Sequence, residues 1–190
     1  PYQPRSMDKS DIREFRRWHR EAALRAKEAD FDIVYVYATH GYLLSHFLSA
    51  QTNTRTDEYG GSLENRTRLL RELIEDTKEA VGDRCAVAVR YSVGGDDGEA
   101  AELTAERRDR LEMLAELPDL WDININNYYQ EMGVSRFFKE GSLEEYMSFV
   151  KSVTTRPVVT VGRFTSPDTM ASQVRRGIVD FIGAARPPIA

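Results

Sequence analysis

The chain has 190 residues, of which 41% are hydrophobic and 30% charged, with a net charge of −5. That is an ordinary soluble composition, long enough for one domain with a real core. The acidic balance and the lack of a basic patch exclude a nucleic-acid partner. No apolar run reaches the roughly twenty residues that span a bilayer, and no signal-peptide pattern opens the chain. The single cysteine, Cys85, excludes an intrachain disulfide and cannot by itself hold an iron–sulfur cluster. It sits in the apolar run Cys85–Val89, where a small core residue is expected. The expected setting is reducing and cytoplasmic.

The first predicted helix runs from about Lys9 to Ala29, with Asp8 as its N-cap and Ile12, Phe15, His19, Ala22, Ala23 and Ala26 on one stripe. A strand follows over Asp32–Tyr37. The segment from His40 to Gly61 is long for a connection, and long loops in compact domains tend to be functional. A helix begins after Ser62, turns Leu63, Leu70, Leu73, Ile74, Thr77 and Val81 inward, and stops at Gly82. The second strand is Ala86–Tyr91. A Gly/Asp-rich loop precedes a helix capped by Thr104 and ended by Pro118. The third strand is Leu120–Ile125. Ser142-x-x-Glu145 reads as a capping box. The fourth strand is Pro157–Val161. Ser166-Pro167 reads as an N-cap followed by proline at the first helical position, with Gly177 as the stop. Val179–Gly183 closes the series. Five β-rich runs alternating with helical periodicity predict βα units and a parallel sheet, open or barrel-like, in a single domain.

Chemistry in such sheets gathers at the C-terminal strand ends. These deliver Tyr37 and His40, then Arg90, then Asn124, Asn126, Asn127, Tyr128 and Glu131, then Gly162-Arg163, and last Gly183-Ala184-Ala185-Arg186. Tyr37 and His40, three apart past a strand, suit a proton donor with an orienting group; a structural pair is the alternative. Arg90 ends an apolar strand and must meet an anion, either a ligand or a carboxylate such as Asp122. Gly162-Arg163 and Gly183–Arg186 combine small residues with guanidinium groups. They suit a phosphate of the kind barrels bind after strands seven and eight, or two surface ion pairs. Arg55, Asp57, Tyr59 and Glu64 read as a structural turn and ion-pair network.

His40-Gly-Tyr-Leu-Leu-Ser-His-Phe-Leu-Ser49 and Asn53-Thr-Arg-Thr-Asp-Glu-Tyr-Gly-Gly-Ser-Leu-Glu-Asn-Arg66 closely resemble the long loop of the old yellow enzyme family. Val161-Gly-Arg-Phe and Gly183-Ala-Ala-Arg-Pro resemble that family's last two strand ends. The resemblance covers essentially the whole chain. It implies an FMN-binding (β/α)8 barrel domain, incomplete at both ends, of which residues 1–190 supply roughly strands four to eight. Tyr37-x-x-His40 stands where enoate reductases of the family carry His-x-x-His or His-x-x-Asn. It resembles the trimethylamine, dimethylamine and histamine dehydrogenase branch, as do Leu120-Trp-Asp-Ile and Gly133-x-Ser-Arg-Phe137.

The implied activity is oxidation of a small amine by hydride transfer to FMN, with an NAD(P)H-dependent ene-reductase and an inactive fragment as alternatives. The implied catalytic group is Tyr37, His40 and Glu131, the last a glutamate where the branch has aspartate. Arg90, Gly162, Arg163, Gly183, Ala184 and Arg186 would hold the cofactor, and Tyr128 would contact the substrate. The resemblance further implies a 4Fe-4S cluster outside this segment, an electron-transfer flavoprotein or similar acceptor, and a homodimer.

Overall fold

The computed structural model describes residues 5–94, 101–126 and 138–184. Helix α1 spans Lys9–Glu28. Asp8 caps it by accepting from the backbone N–H groups of Ser10 and Asp11, while the Asp11 carboxylate reaches back to the Asp8 N–H. Strand β1 (Ile33–Ala38) leads into a short helix α2 (Leu43–Leu48) and then α3 (Leu63–Val81), capped by Ser62. After a turn of 3-10 helix, β2 covers Ala86–Ser92. Helix α4 (Ala101–Leu114), strand β3 (Leu120–Asn124), one turn of helix α5 (Glu144–Met147), strand β4 (Val158–Thr160), helix α6 (Pro167–Arg175) and strand β5 (Phe181–Ile182) follow.

The five strands form one sheet in the order β1-β2-β3-β4-β5, and every pairing is parallel. A doubly wound sheet reverses its strand order at a switch point; this one does not, and sequential order with helical crossovers is the order of a βα barrel wall. The register sets Tyr37 beside Arg90, Arg90 beside Asp122, Asp122 beside Val159 and Val159 beside Phe181. These residues therefore lie on one level and share a face.

The other face carries the core. Val36, Val87, Val89, Trp121, Ile123 and Val158 are fully buried there against Leu69, Leu73 and Ile74 of α3 and Leu111 and Leu114 of α4. Trp121 donates its indole N–H to the Ala115 carbonyl at 2.9 Å and meets the Tyr91 ring edge-on. Two cations lie deep on this side. Arg66 and Arg110 are 7% and 4% exposed and share Glu106 as counter-ion. Burial, with Arg110 close by, pushes the Arg66 guanidinium below its usual value.

Three sequence expectations fail for identifiable reasons. The segment 40–61 holds helix α2, which buries Leu44, Phe47 and Leu48; six residues with no side-chain cap leave too little periodicity to read. Thr104 is not an N-cap, since α4 is already helical at Ala101, and the helix ends at Leu114, before Pro118. Ser142 does not cap α5, whose N-cap is Leu143 without a side-chain bond. Gly141 adopts φ 72° and starts a turn in which Glu144 N–H bonds to the Gly141 carbonyl. Buried Leu143 draws that turn inward, and the neighbouring Glu144 binds Arg176 and Gln173.

Arg55, Asp57 and Tyr59 form the turn and ion-pair network their composition suggests. Arg55 pairs with Asp57 and bonds to the Met7 carbonyl, Asn53 ties the Phe47 and Tyr59 carbonyls together, and the Tyr59 hydroxyl donates to Glu72 at 3.0 Å. A Cβ on Gly60 would collide with the Arg55 backbone carbonyl, so this turn requires glycine.

Candidate active site at the strand ends

Along β1 the side chains alternate strictly. Val34, Val36 and Ala38 point into the helix layer, while Ile33, Tyr35 and Tyr37 stand 40–45% exposed on the opposite face. Tyr37 is thus presented by the strand's two-residue period. Immediately beyond, Thr39–Tyr42 make a tight turn closed by the Tyr42 N–H on the Thr39 carbonyl. His40 and Gly41 both take left-handed backbone there, at φ 55° and 71°. For a histidine that conformation costs about 1–2 kcal/mol, and strain of this kind clusters at functional sites. It brings the His40 ring over the strand end, where Nδ1 lies 2.7 Å from the Tyr37 hydroxyl. The Tyr42 ring meets Tyr37 edge-on at 5.5 Å.

The other imidazole nitrogen is also held. Asn124, wholly buried at the end of β3, approaches His40 Nε2 with its amide nitrogen at 3.0 Å. Its carbonyl oxygen lies 2.9 Å from Ser92 Oγ and 3.0 Å from Thr39 Oγ1, and these two hydroxyls, in contact with each other as well, share their two protons among the three contacts. Asn124 is visible in sequence only as a strand-end polar residue; Thr39 and Ser92 give no sequence signal. All three emerge from the register that sets Ser92 beside Asn124.

One level below, Arg90 pairs with Asp122 at 2.7 Å. The carboxylate alternative foreseen for Arg90 is therefore realised, while the guanidinium stays on the bare face with its side chain 20% exposed. Tyr35 lies beside this pair, and burial followed by the Asp122 charge raises its hydroxyl pKa.

At the far end of the sheet, Gly162 and Arg163 follow β4, and Gly183 and Ala184 follow β5. The Thr160↔Ile182 pairing makes these two ends neighbours. Arg163 also takes left-handed backbone, at φ 57°, and donates to the Phe138 carbonyl at 3.1 Å. Gly162 is a close approach: an added Cβ would sit 2.8 Å from the Phe164 ring. The Gly183 N–H is taken by the Thr160 carbonyl at 2.7 Å, so it is not available to a ligand as a donor. Tyr128, Glu131 and Arg186 lie outside the described residues.

A separate cleft of about 250 Å³ opens on the helix side between α2 and α4, beside Ser45, His46, Tyr91, Arg107 and Arg110. It backs the rim rather than containing Tyr37. Cys85 is buried and donates to the Phe31 carbonyl. Among the described residues no group of three or more His, Cys, Asp or Glu could hold a metal, and no helix is long and apolar enough to cross a membrane.

A parallel half-barrel wall with a tyrosine–histidine pair, a strand-end arginine and glycine-lined ends at β4 and β5 defines the site of a cofactor-dependent barrel enzyme. All 190 residues match the NADH:flavin oxidoreductase / NADH oxidase family, and the chain belongs to it. It is 36% identical over 192 aligned positions to dimethylamine dehydrogenase of Hyphomicrobium sp. (strain x), covering 96% of this chain and 25% of that protein. It superimposes on the 6-hydroxypseudooxynicotine amine oxidase of Pseudomonas geniculata N1 with TM-score 0.94 and 57% identity, over all of this chain and 29% of that one. For histamine dehydrogenase of Rhizobium sp. 4-9 the TM-score is 0.93 and the identity 51%, over all of this chain and 28% of that one. The chain thus spans little more than a quarter of these relatives, and its five βα units are part of a TIM barrel.

The residues fit a flavin mononucleotide. Arg163 stands at the phosphate end in left-handed backbone next to Gly162, and Arg90 places a cation on the bare face.

Proposed function

We propose that the full-length protein is an FMN-dependent dehydrogenase of a small amine. The observation that carries this reading is the 2.7 Å contact between the Tyr37 hydroxyl and His40 Nδ1 at the end of β1. A small alkylamine is a cation at neutral pH, and breaking the C–H bond beside nitrogen needs the nitrogen lone pair free. The Tyr37 hydroxyl, on the bare face and hydrogen-bonded to an imidazole, holds that nitrogen, and in its phenolate form, its own proton released to solvent beforehand, takes the ammonium proton. Two relatives over 50% identical along the whole chain are an amine oxidase and a histamine dehydrogenase, which supports an amine over an enoate.

FMN, when bound, accepts the hydride. Arg90 would stabilise negative charge on the flavin ring, and Gly162, Arg163, Gly183, Ala184 and Arg186 would form the phosphate end, with the two arginines supplying the charge. The proposed catalytic group is Tyr37, His40 and Glu131, and Tyr128 would offer a π face to the alkylammonium. Water hydrolyses the released iminium. The full-length protein would be a cytoplasmic homodimer, with a 4Fe-4S cluster outside this segment and an electron-transfer flavoprotein or similar acceptor to take up the electrons.

The family also contains NADH oxidases, one of them 33% identical over 193 positions, which keeps an NAD(P)H-dependent ene-reductase as the second reading. Anaerobic titration of the full-length enzyme separates the two. Trimethylamine, dimethylamine or histamine bleaches the flavin if the proposal holds; bleaching by NADPH and by none of these amines overturns it.

A further inference from the structure

We infer that the cleft between α2 and α4 is a binding site for a phosphate group, free or as a monoester, held by Arg110 and Ser45. Gly162, Arg163 and Gly183 do not line this cleft, so it is distinct from the strand ends assigned to the flavin phosphate.

Two guanidinium groups behind the cleft share one carboxylate. The Arg66 side chain is 8% exposed and the Arg110 side chain 5%; Glu106 meets Arg66 directly and lies 4.0 Å from Arg110. Their other bonds go to neutral oxygens. Arg66 donates to the carbonyls of Leu48 and Gly61, and Arg110 donates to the Leu48 carbonyl at 2.8 Å and the Tyr91 hydroxyl at 3.2 Å. Two buried cations against one anion leave a positive charge without a counter-ion, which is costly. Burial, then the Arg110 charge, depresses the Arg66 pKa, the sign expected where positive charge is in excess.

Two polar atoms of the residues lining the cleft are buried without a partner: Arg110 Nε and the Ser45 hydroxyl. Nε–H only donates, so whatever meets it must accept; the hydroxyl is free to donate as well. Ser45 belongs to α2 and Arg110 to α4, so the two donors come from the two walls. Arg107, one turn before Arg110, lines the same cleft. Glu106 stands there too, with its charge already divided between Arg66 and Arg110. A water would satisfy a donor but not the charge. A phosphate supplies both, with several acceptor oxygens for donors on different walls. The volume of about 250 Å³ leaves room for the organic part of a monoester. Because α2 begins just after the His40 turn, a phosphate held here ties that turn to α4.

The test is calorimetric titration of inorganic phosphate into the flavin-loaded full-length enzyme at constant ionic strength. We expect saturable binding with a Kd below about 1 mM. Arg110→Lys keeps the charge and removes Nε–H, and Ser45→Ala breaks no bond present in the structure. Each should weaken phosphate binding about fivefold or more, and a weakening in either locates the site in the cleft. If Arg110→Lys does not fold, Ser45→Ala alone decides. Glycerol 3-phosphate separates the sources: binding tighter than inorganic phosphate identifies a monoester, weaker binding identifies free phosphate, and both retain the site. No saturable binding up to about 10 mM phosphate overturns the inference. So does binding unchanged in the folded variants, which puts the phosphate elsewhere, or acetate binding as tightly as phosphate, which makes the site one for carboxylates. The readout is binding rather than turnover, so it stands or falls separately from the amine reading.

Discussion

The two faces of the sheet obey different rules. On the helix side Val36, Val87, Val89, Trp121 and Ile123 have no exposure at all. On the other side Ile33, Tyr35 and Tyr37 of β1 and Phe181 of β5 are 40–54% exposed, and β2 and β3 between them carry Arg90, Asp122 and Asn124 on that face. Parallel sheets are normally covered on both faces. The covered face is built for packing; the bare one presents large rings and paired charges toward the barrel interior. One period-two alternation thus allots stability to one set of residues and chemistry to the other.

The largest effects expected from this division are on the covered face. Trp121→Ala removes a fully buried indole and its hydrogen bond and should cost about 3–5 kcal/mol in denaturant unfolding of the full-length protein. A cost below about 1 kcal/mol would mean the core is misplaced. Glu106→Gln leaves Arg66 and Arg110 buried beside each other without their shared counter-ion, and should destabilise by about 3 kcal/mol. The bare face sharpens the contrast. Phe181→Ala should change the stability of residues 1–190 by no more than about 0.5 kcal/mol, yet cost about 2 kcal/mol or more in the full-length protein, where the rest of the barrel covers it. For the same reason residues 1–190 alone should not bind FMN stoichiometrically; a stable, yellow, monomeric product of that length would contradict this.

The smallest effect concerns α6. Glu140 accepts from the Ser166 and Thr165 backbone N–H groups at 2.7 Å each, and these bonds hold its carboxyl below the usual glutamate value. Its contribution is therefore complete above the unfolded value of about 4.3 and fades as pH falls through the lower folded value. Glu140→Gln should flatten the acid side of the stability profile and leave the alkaline side unchanged.

Much of the covered face was legible in the sequence, because it is written in local signals. Asp8, Ser62 and Ser166-Pro167 announce three helices through their caps, and the apolar runs announce the strands. The site was legible only in part. Tyr37 and His40 stand three apart after a strand, a spacing that can be read directly. Thr39, Ser92 and Asn124 are 85 residues apart at their extremes, and only the strand register brings them together. Arg90 announced itself as a cation needing a partner, but its pairing with Asp122 again depends on register. Helix α2 and the start of α5 escaped because tertiary burial of Leu44, Phe47 and Leu143, rather than any cap, sets them.

The most direct test of the bare face as an amine-oxidising surface is stopped-flow anaerobic reduction of full-length wild type and Tyr37→Phe by the same amine. Removing one hydroxyl from an exposed ring should leave folding and FMN content intact. It should lower the limiting rate of flavin reduction by about 10²-fold or more, while reduction by dithionite proceeds at the wild-type rate. An amine-driven rate within about twofold of wild type would contradict the assignment of Tyr37 as the group that takes the substrate's proton.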